Sequence, residues 1–61
     1  MLTAREIDVL RLLSRGLRYA EIALHLGITR NTTAGHLKNA YRKLEVRSRQ
    51  ELRPLLEAAA G

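Results

Sequence analysis

Between Leu26 and Leu44 the chain passes through a tight Leu26-Gly27-Ile28 turn, then Thr29, then a run whose residue types separate by helical phase. At 100° per residue, Thr33, Leu37, Ala40 and Leu44 share one narrow arc and make an apolar stripe. The opposite arc holds Asn31, Gly35, Lys38 and Arg42, flanked by Ala34 and Asn39. Only a helix produces that separation. Its stripe must be buried against other elements, and the other face is left free. That free face carries amides, cations and two very small residues with no acid, which suits a helix lying in a groove against a polyanion.

The rest of the chain supplies partners of the same kind. Thr3 and Glu6 have the spacing of a capping box, so a first helix is expected to start at Ala4. Ile7, Leu10 and Leu13 repeat at helical intervals with Val9 and Leu12 beside them, and Gly16 is placed to end the helix in a left-handed conformation. Arg18 to Leu26 reads as a short second helix with Ile22, Ala23 and Leu26 inward, stopped by Gly27. Thr29 is the expected N-cap of the third helix, over about residues 30–44. After the connector Glu45-Val46-Arg47, Ser48 and Glu51 suggest a second capping box, opening a fourth helix with Leu52, Leu55, Leu56 and Ala59 on its apolar side. Nothing alternates with period two, so the expectation is an all-α, four-helix domain containing a helix-turn-helix and spanning residues 1–61.

Size and composition set the outer bounds. Sixty-one residues are enough for one small core. There is no Cys, which excludes disulfides and cysteine zinc sites and fits a reducing cytoplasm. No apolar run approaches the ~20 residues of a membrane span, and Arg5, Glu6 and Asp8 interrupt any signal-peptide pattern. A soluble, cytoplasmic domain with no membrane contact is expected. The net charge is +5, and residues 30–49 carry Arg30, Lys38, Arg42, Lys43, Arg47 and Arg49 against Glu45 alone. The excess therefore sits on the third helix and the segment after it, which is the electrostatic footprint of nucleic-acid binding.

These residues also carry a family resemblance. Leu2-Thr3-x-Arg5-Glu6-x-x-Val9-Leu10, Gly16, Glu21-Ile22-Ala23-x-x-Leu26-Gly27-Ile28, Thr32, His36, Lys43-Leu44, Val46 and Ser48-Arg49 together resemble the DNA-binding domain of LuxR/GerE-type regulators. The resemblance implies a four-helix fold, DNA binding through helix 3, dimerisation through helix 4, and an N-terminal sensor or receiver domain outside this sequence. Three places depart from the family's usual text. Arg18-Tyr19 stands where relatives have Ser or Thr followed by Asn as a helix cap. Thr32-Thr33-Ala34-Gly35-His36 stands for Thr-Val-Lys-x-His, which removes a Lys and puts Gly mid-helix. Pro54 falls inside the fourth helix, where it is expected to kink the helix or shift its start toward Arg53 and so weaken any dimer.

The expected function is sequence-specific binding of double-stranded DNA as the output domain of a bacterial-type transcriptional regulator, helix 3 in the major groove. Arg30, Thr32 and Arg42, with Arg18 and Tyr19 at the start of helix 2, are assigned to the phosphate backbone. Asn31, Lys38 and Asn39 are assigned to base edges. Thr29 and Gly35 complete the surface; a structural bond and a phosphate contact are both open to His36. Leu52, Leu55, Leu56 and Ala59 are the candidate dimer surface, for a homodimer formed on DNA. Glu6 is expected to pair with Arg49. His25 and His36 lie on different helices without convergent acids, so no metal, cofactor or catalytic site is expected, and the chain is read as not an enzyme. Two other readings stay open: a protein-interaction module that meets an acidic partner with the same basic face, and promoter recognition like that of sigma-factor region 4.

Overall fold

The computed structural model describes residues 1–60, with side chains to Ala58. It has α1 (Ala4–Ser14), α2 (Tyr19–Leu26), α3 (Arg30–Leu44) and α4 (Arg49–Ala60), with no strand among the described residues. The all-α, four-helix expectation is met, with boundaries moved by a residue at most. Helix α3 is central and packs against both α1 and α2, while α1 and α2 also touch.

Each start has a local cause. At α1 the Thr3 hydroxyl accepts from the Glu6 N–H at 3.1 Å, and the Glu6 carboxylate accepts from the Thr3 N–H at 2.8 Å, closing the capping box. At α2 the N-cap is Arg18, whose guanidinium has no acceptor to offer. The helix starts there because Glu21 supplies the other half of the box, accepting from the Arg18 N–H at 2.8 Å. At α3 Thr29 Oγ1 accepts from the Thr32 N–H at 3.0 Å. At α4 Ser48 Oγ accepts from the Glu51 N–H at 3.3 Å, but Glu51 reaches past Ser48 to the Arg47 N–H at 2.9 Å, so the expected box is only half formed.

The first three helices end alike. Gly16 and Gly27 follow α1 and α2 with φ of 89° and 66°, and Glu45 follows α3 with φ of 58°. The next residue in each case is apolar and donates its N–H five residues back: Leu17 to Leu12, Ile28 to Ala23, Val46 to Tyr41. This is the Schellman ending, in which the last carbonyls find partners within the same turn.

The core is Val9, Leu10, Leu13, Ile22, Leu37, Ala40 and Leu52. Thr33 joins it at 0 % exposure, its hydroxyl donating to the Thr29 carbonyl at 3.0 Å, so no polar atom is left open. Two sequence expectations for α1 need correction. Ile7 is 37 % exposed, and the inward position on that turn belongs to Glu6, at 3 %. Glu6 does not pair with Arg49. It accepts from Lys43 Nζ at 2.8 Å, tying α1 to the end of α3. Arg49 instead donates to the Leu13 carbonyl at 3.1 Å, a cation at the negative end of α1.

Helix α4 corrects a third. It runs unbroken from Arg49 through Pro54. The carbonyl that Pro54 leaves without a helical donor is that of Gln50, in the exposed first turn where water can serve it. Proline therefore neither breaks the helix nor shifts its start to Arg53. Leu52 is 0 % exposed and wholly within its own core, so it cannot reach a partner; Leu55 is 45 % exposed and Leu56 half-buried. The side chain of Ala59 lies outside the described residues.

The Glu6–Lys43 pair makes stability depend on pH. The Lys43 hydrogen bond, followed by that from Thr3, holds the Glu6 carboxyl below its ordinary value, against the effect of burial. Its contribution is complete above the unfolded-state value of about 4.3 and is lost as pH falls through the lowered folded value. Thermal melts between pH 2 and 7 should show this acid loss, and Glu6→Gln should flatten it while lowering the melting temperature at pH 7. An unchanged acid limb in the variant would remove Glu6 from the account.

Candidate nucleic-acid interface

Burial of Thr33, Leu37 and Ala40 leaves the other side of α3 in solvent. Asn31, Gly35, Lys38, Asn39 and Arg42 are all exposed, as is Ala34. Arg30 and Thr32 are exposed at the start of the helix with Thr29, and Arg18 and Tyr19 are exposed at the start of α2. Among the expected residues only His36 differs: it is half-buried, on the flank between the two faces.

The donors at the start of α3 divide between structure and surface. Thr29 caps with its oxygen and donates its own hydroxyl proton to Thr32 Oγ1 at 2.8 Å. The Thr32 backbone N–H is therefore occupied by the cap. The N–H groups of Arg30 and Asn31 make no hydrogen bond among the described residues, and the Thr32 hydroxyl accepts from Thr29 without donating in turn, so these donors remain open at the positive end of the helix.

The basic charge is also redistributed. Lys43 is bound to Glu6 and Arg49 to a carbonyl, so two of the six cations in residues 30–49 are structural. Arg30, Lys38, Arg42 and Arg47 form no ion pair among the described residues. The outer face of α3 therefore keeps a positive field with no carboxylate to neutralise it.

Beside this face, toward α2, lies an open notch of about 430 Å³. Buried Leu37 and half-buried Tyr41 and Val46 form its base. Lys38, Arg42 and Arg47 stand at its rim, with Tyr19 and Ala34 beside them. Tyr41 and Arg47 were not expected at the surface that binds. Tyr41 is one residue before Arg42 on an inward-leaning flank, and Arg47 sits in the connector, where sequence period carries no direction. The signal that could have marked Arg47 was the charge block itself.

Residues 1–55 match the family model described as bacterial regulatory proteins, luxR family. The chain belongs to the luxR family. Its relatives include the nitrate/nitrite response regulator NarP of Escherichia coli K12, 49 % identical over 49 residues, which is 80 % of this chain and 23 % of that protein. NarL of the same strain is 42 % identical over 50 residues, 82 % of this chain and 23 % of NarL. The response regulator RamR of Streptomyces coelicolor is 38 % identical over 58 residues, 95 % of this chain and 29 % of RamR. The chain thus spans between a fifth and a third of the length of these relatives. No solved structure matches it. Family membership makes the exposed face of α3 part of a helix-turn-helix of DNA-binding transcriptional regulators. Among the described residues no group of His, Cys, Asp or Glu could hold a metal ion, and no helix is long and apolar enough to cross a membrane.

Gly35 lies on the outer face of this luxR-family helix. It is exposed mid-helix, and a Cβ added there meets nothing within 4 Å. Gly35→Ala should therefore stabilise the free domain by about 1 kcal/mol, raising the melting temperature by about 4–8 °C. A calorimetric melt checks this; a lower midpoint would show that the position is not open helix.

Proposed function

We propose that this domain binds duplex DNA with α3 in the major groove, as the output module of a longer cytoplasmic transcriptional regulator. One observation carries the reading: α3 gives one side to the core and presents an opposite side with free cations and amides, no acid, and almost no bulk at Ala34 and Gly35. A helix with side chains is 10–12 Å across and the major groove about 12 Å wide, so small residues at the centre let the axis approach the groove floor. Arg30, Thr32 and Arg42, with Arg18 and Tyr19 on α2, hold the phosphates in this reading. Asn31, Lys38 and Asn39 reach base edges, Asn toward adenine and Lys toward guanine.

The rest of the regulator is proposed from the relatives' names. RamR, NarP and NarL are response regulators, and the match covers only a part of each. A receiver or sensor domain N-terminal to this one accounts for the difference in length. Two copies on paired half-sites would follow the two-fold symmetry of such sites. Among the described apolar residues of α4, Leu55 and the open edge of Leu56 are what remains for a second copy. That is too little for a stable pair of free domains. Sedimentation should accordingly show a monomer at micromolar concentration, with pairing on DNA; a tight dimer of the free chain would overturn the α4 reading.

Binding should be strongly salt-dependent. With about four phosphates neutralised, log affinity against log salt should have a slope near −3.6 in a fluorescence-anisotropy titration. Lys38→Ala should weaken binding to a preferred site by about 1–3 kcal/mol, while Arg11→Ala, on α1, should have little effect. Equal losses in the two variants would leave only net charge at work. No binding to any duplex at low salt would put the protein-interaction reading ahead.

A further inference from the structure

The notch beside α3 is not needed to place a helix in the major groove, yet its chemistry is specific. Its rim carries Lys38, Arg42 and Arg47, and no carboxylate lines it. The phenols of Tyr19 and Tyr41 line it as well, and neither hydroxyl makes a hydrogen bond among the described residues. Beneath these donors the base is apolar, from Leu37, Val46 and the Tyr41 ring. The ligand that fits is anionic at one end and hydrocarbon-faced at the other.

The residues that frame it are held in place. The Val46 N–H donates to the Tyr41 carbonyl at 3.0 Å, and the Arg47 N–H donates to Glu51 at 2.9 Å. The backbone of the connector is thus pinned on both sides of Arg47, to α3 and to α4. Burial, with the nearby Tyr19 adding to it, pushes the Tyr41 phenol up from its ordinary value, against Arg49. Tyr41 therefore remains a protonated donor at physiological pH. A bare anion would satisfy the rim but leave the apolar base bare. A nucleotide unit of a DNA strand satisfies both, since the deoxyribose has a CH face and the phosphate accepts.

We propose that the notch between α2 and α3 seats one deoxyribose-phosphate of the strand flanking the occupied groove, with Tyr41 donating to that phosphate and Arg47 anchoring it from the connector. This rests on the duplex-DNA reading. It adds the α3–α4 connector to an interface that already takes in the start of α2 and the outer face of α3. The added contacts are to backbone, so they strengthen binding without choosing sequence.

Anisotropy titrations of a labelled duplex across sodium chloride concentrations test it, using the whole chain. Arg47→Gln should reduce the magnitude of the salt slope by about 0.9, one phosphate's worth, and weaken preferred and random duplexes alike. Arg11→Gln, the same charge change on α1, should leave the slope unchanged. Tyr41→Phe keeps the ring and removes the donor; it should weaken binding by about two- to tenfold with no change in slope. Thermal melts confirm that each variant folds. A single methylphosphonate moved along the strand should weaken the wild type at one position more than it weakens Arg47→Gln. Equal slopes for Arg47→Gln and Arg11→Gln, or no position where the methylphosphonate effect differs, overturns the notch while leaving α3 binding intact. Failure of the wild type to bind any duplex at low salt overturns both.

Discussion

The architecture depends on how α3 is gripped. Thr33, Leu37 and Ala40 bury one side of it against α1 and α2, and two of those three side chains are small. Small inward groups let the neighbouring helices come close without needing the flanks of α3. The wide polar arc is then left entirely to solvent. In a chain of this size there is a single core, so any further covering of α3 would have to come from the same few apolar residues. An open polar face and a stable fold are reconciled here by dividing one helix lengthwise.

Electrostatics follows the same division. Glu6 is the one buried carboxylate among the described residues, and it takes Lys43, the cation nearest the inward side at the end of α3. Arg49 closes the carbonyl end of α1. Both cations are bound to structure, and the other four of residues 30–49 form no ion pair among the described residues and lie on α3 and in the connector. The luxR-family domain thus separates cations that hold helices together from cations that face outward, although all lie within one basic stretch of sequence.

Local features were legible in the sequence because they depend on residues a few positions apart. Thr3 with Glu6, Gly16, Gly27 and Thr29 all involve separations of four or fewer, and each is found as expected. The two faces of α3 were legible for the same reason, since helical phase is a local property. What was misread depends on distance in space. Glu6 and Lys43 are 37 residues apart, Arg49 and Leu13 are 36, and no periodicity links them. Ile7 was given the place of Glu6 because an apolar residue is the usual occupant of an inward position, and a buried ion pair is visible only once both partners are placed. Pro54 does lie inside α4, but the carbonyl it deprives of a donor belongs to the exposed first turn, which helical phase alone does not reveal. Arg47 and Tyr41 enter the candidate site only through the notch that folding creates.

The repeated helix endings also bear on how quickly this fold is reached. At Leu17, Ile28 and Val46 the chain satisfies its own terminal carbonyls within one turn and sets an apolar side chain against the helix just completed. No turn has to wait for a distant strand or loop before its polar groups are matched. The packing of α1 on α2 and of α2 on α3 joins consecutive helices, leaving mainly the α1–α3 contact and the seating of Leu52 to close over longer separations. Chains with contacts this local fold in microseconds to milliseconds. For a domain whose central helix exposes a broad unpacked side, rapid closure of the core limits the time in which its few large apolar residues are open to other molecules.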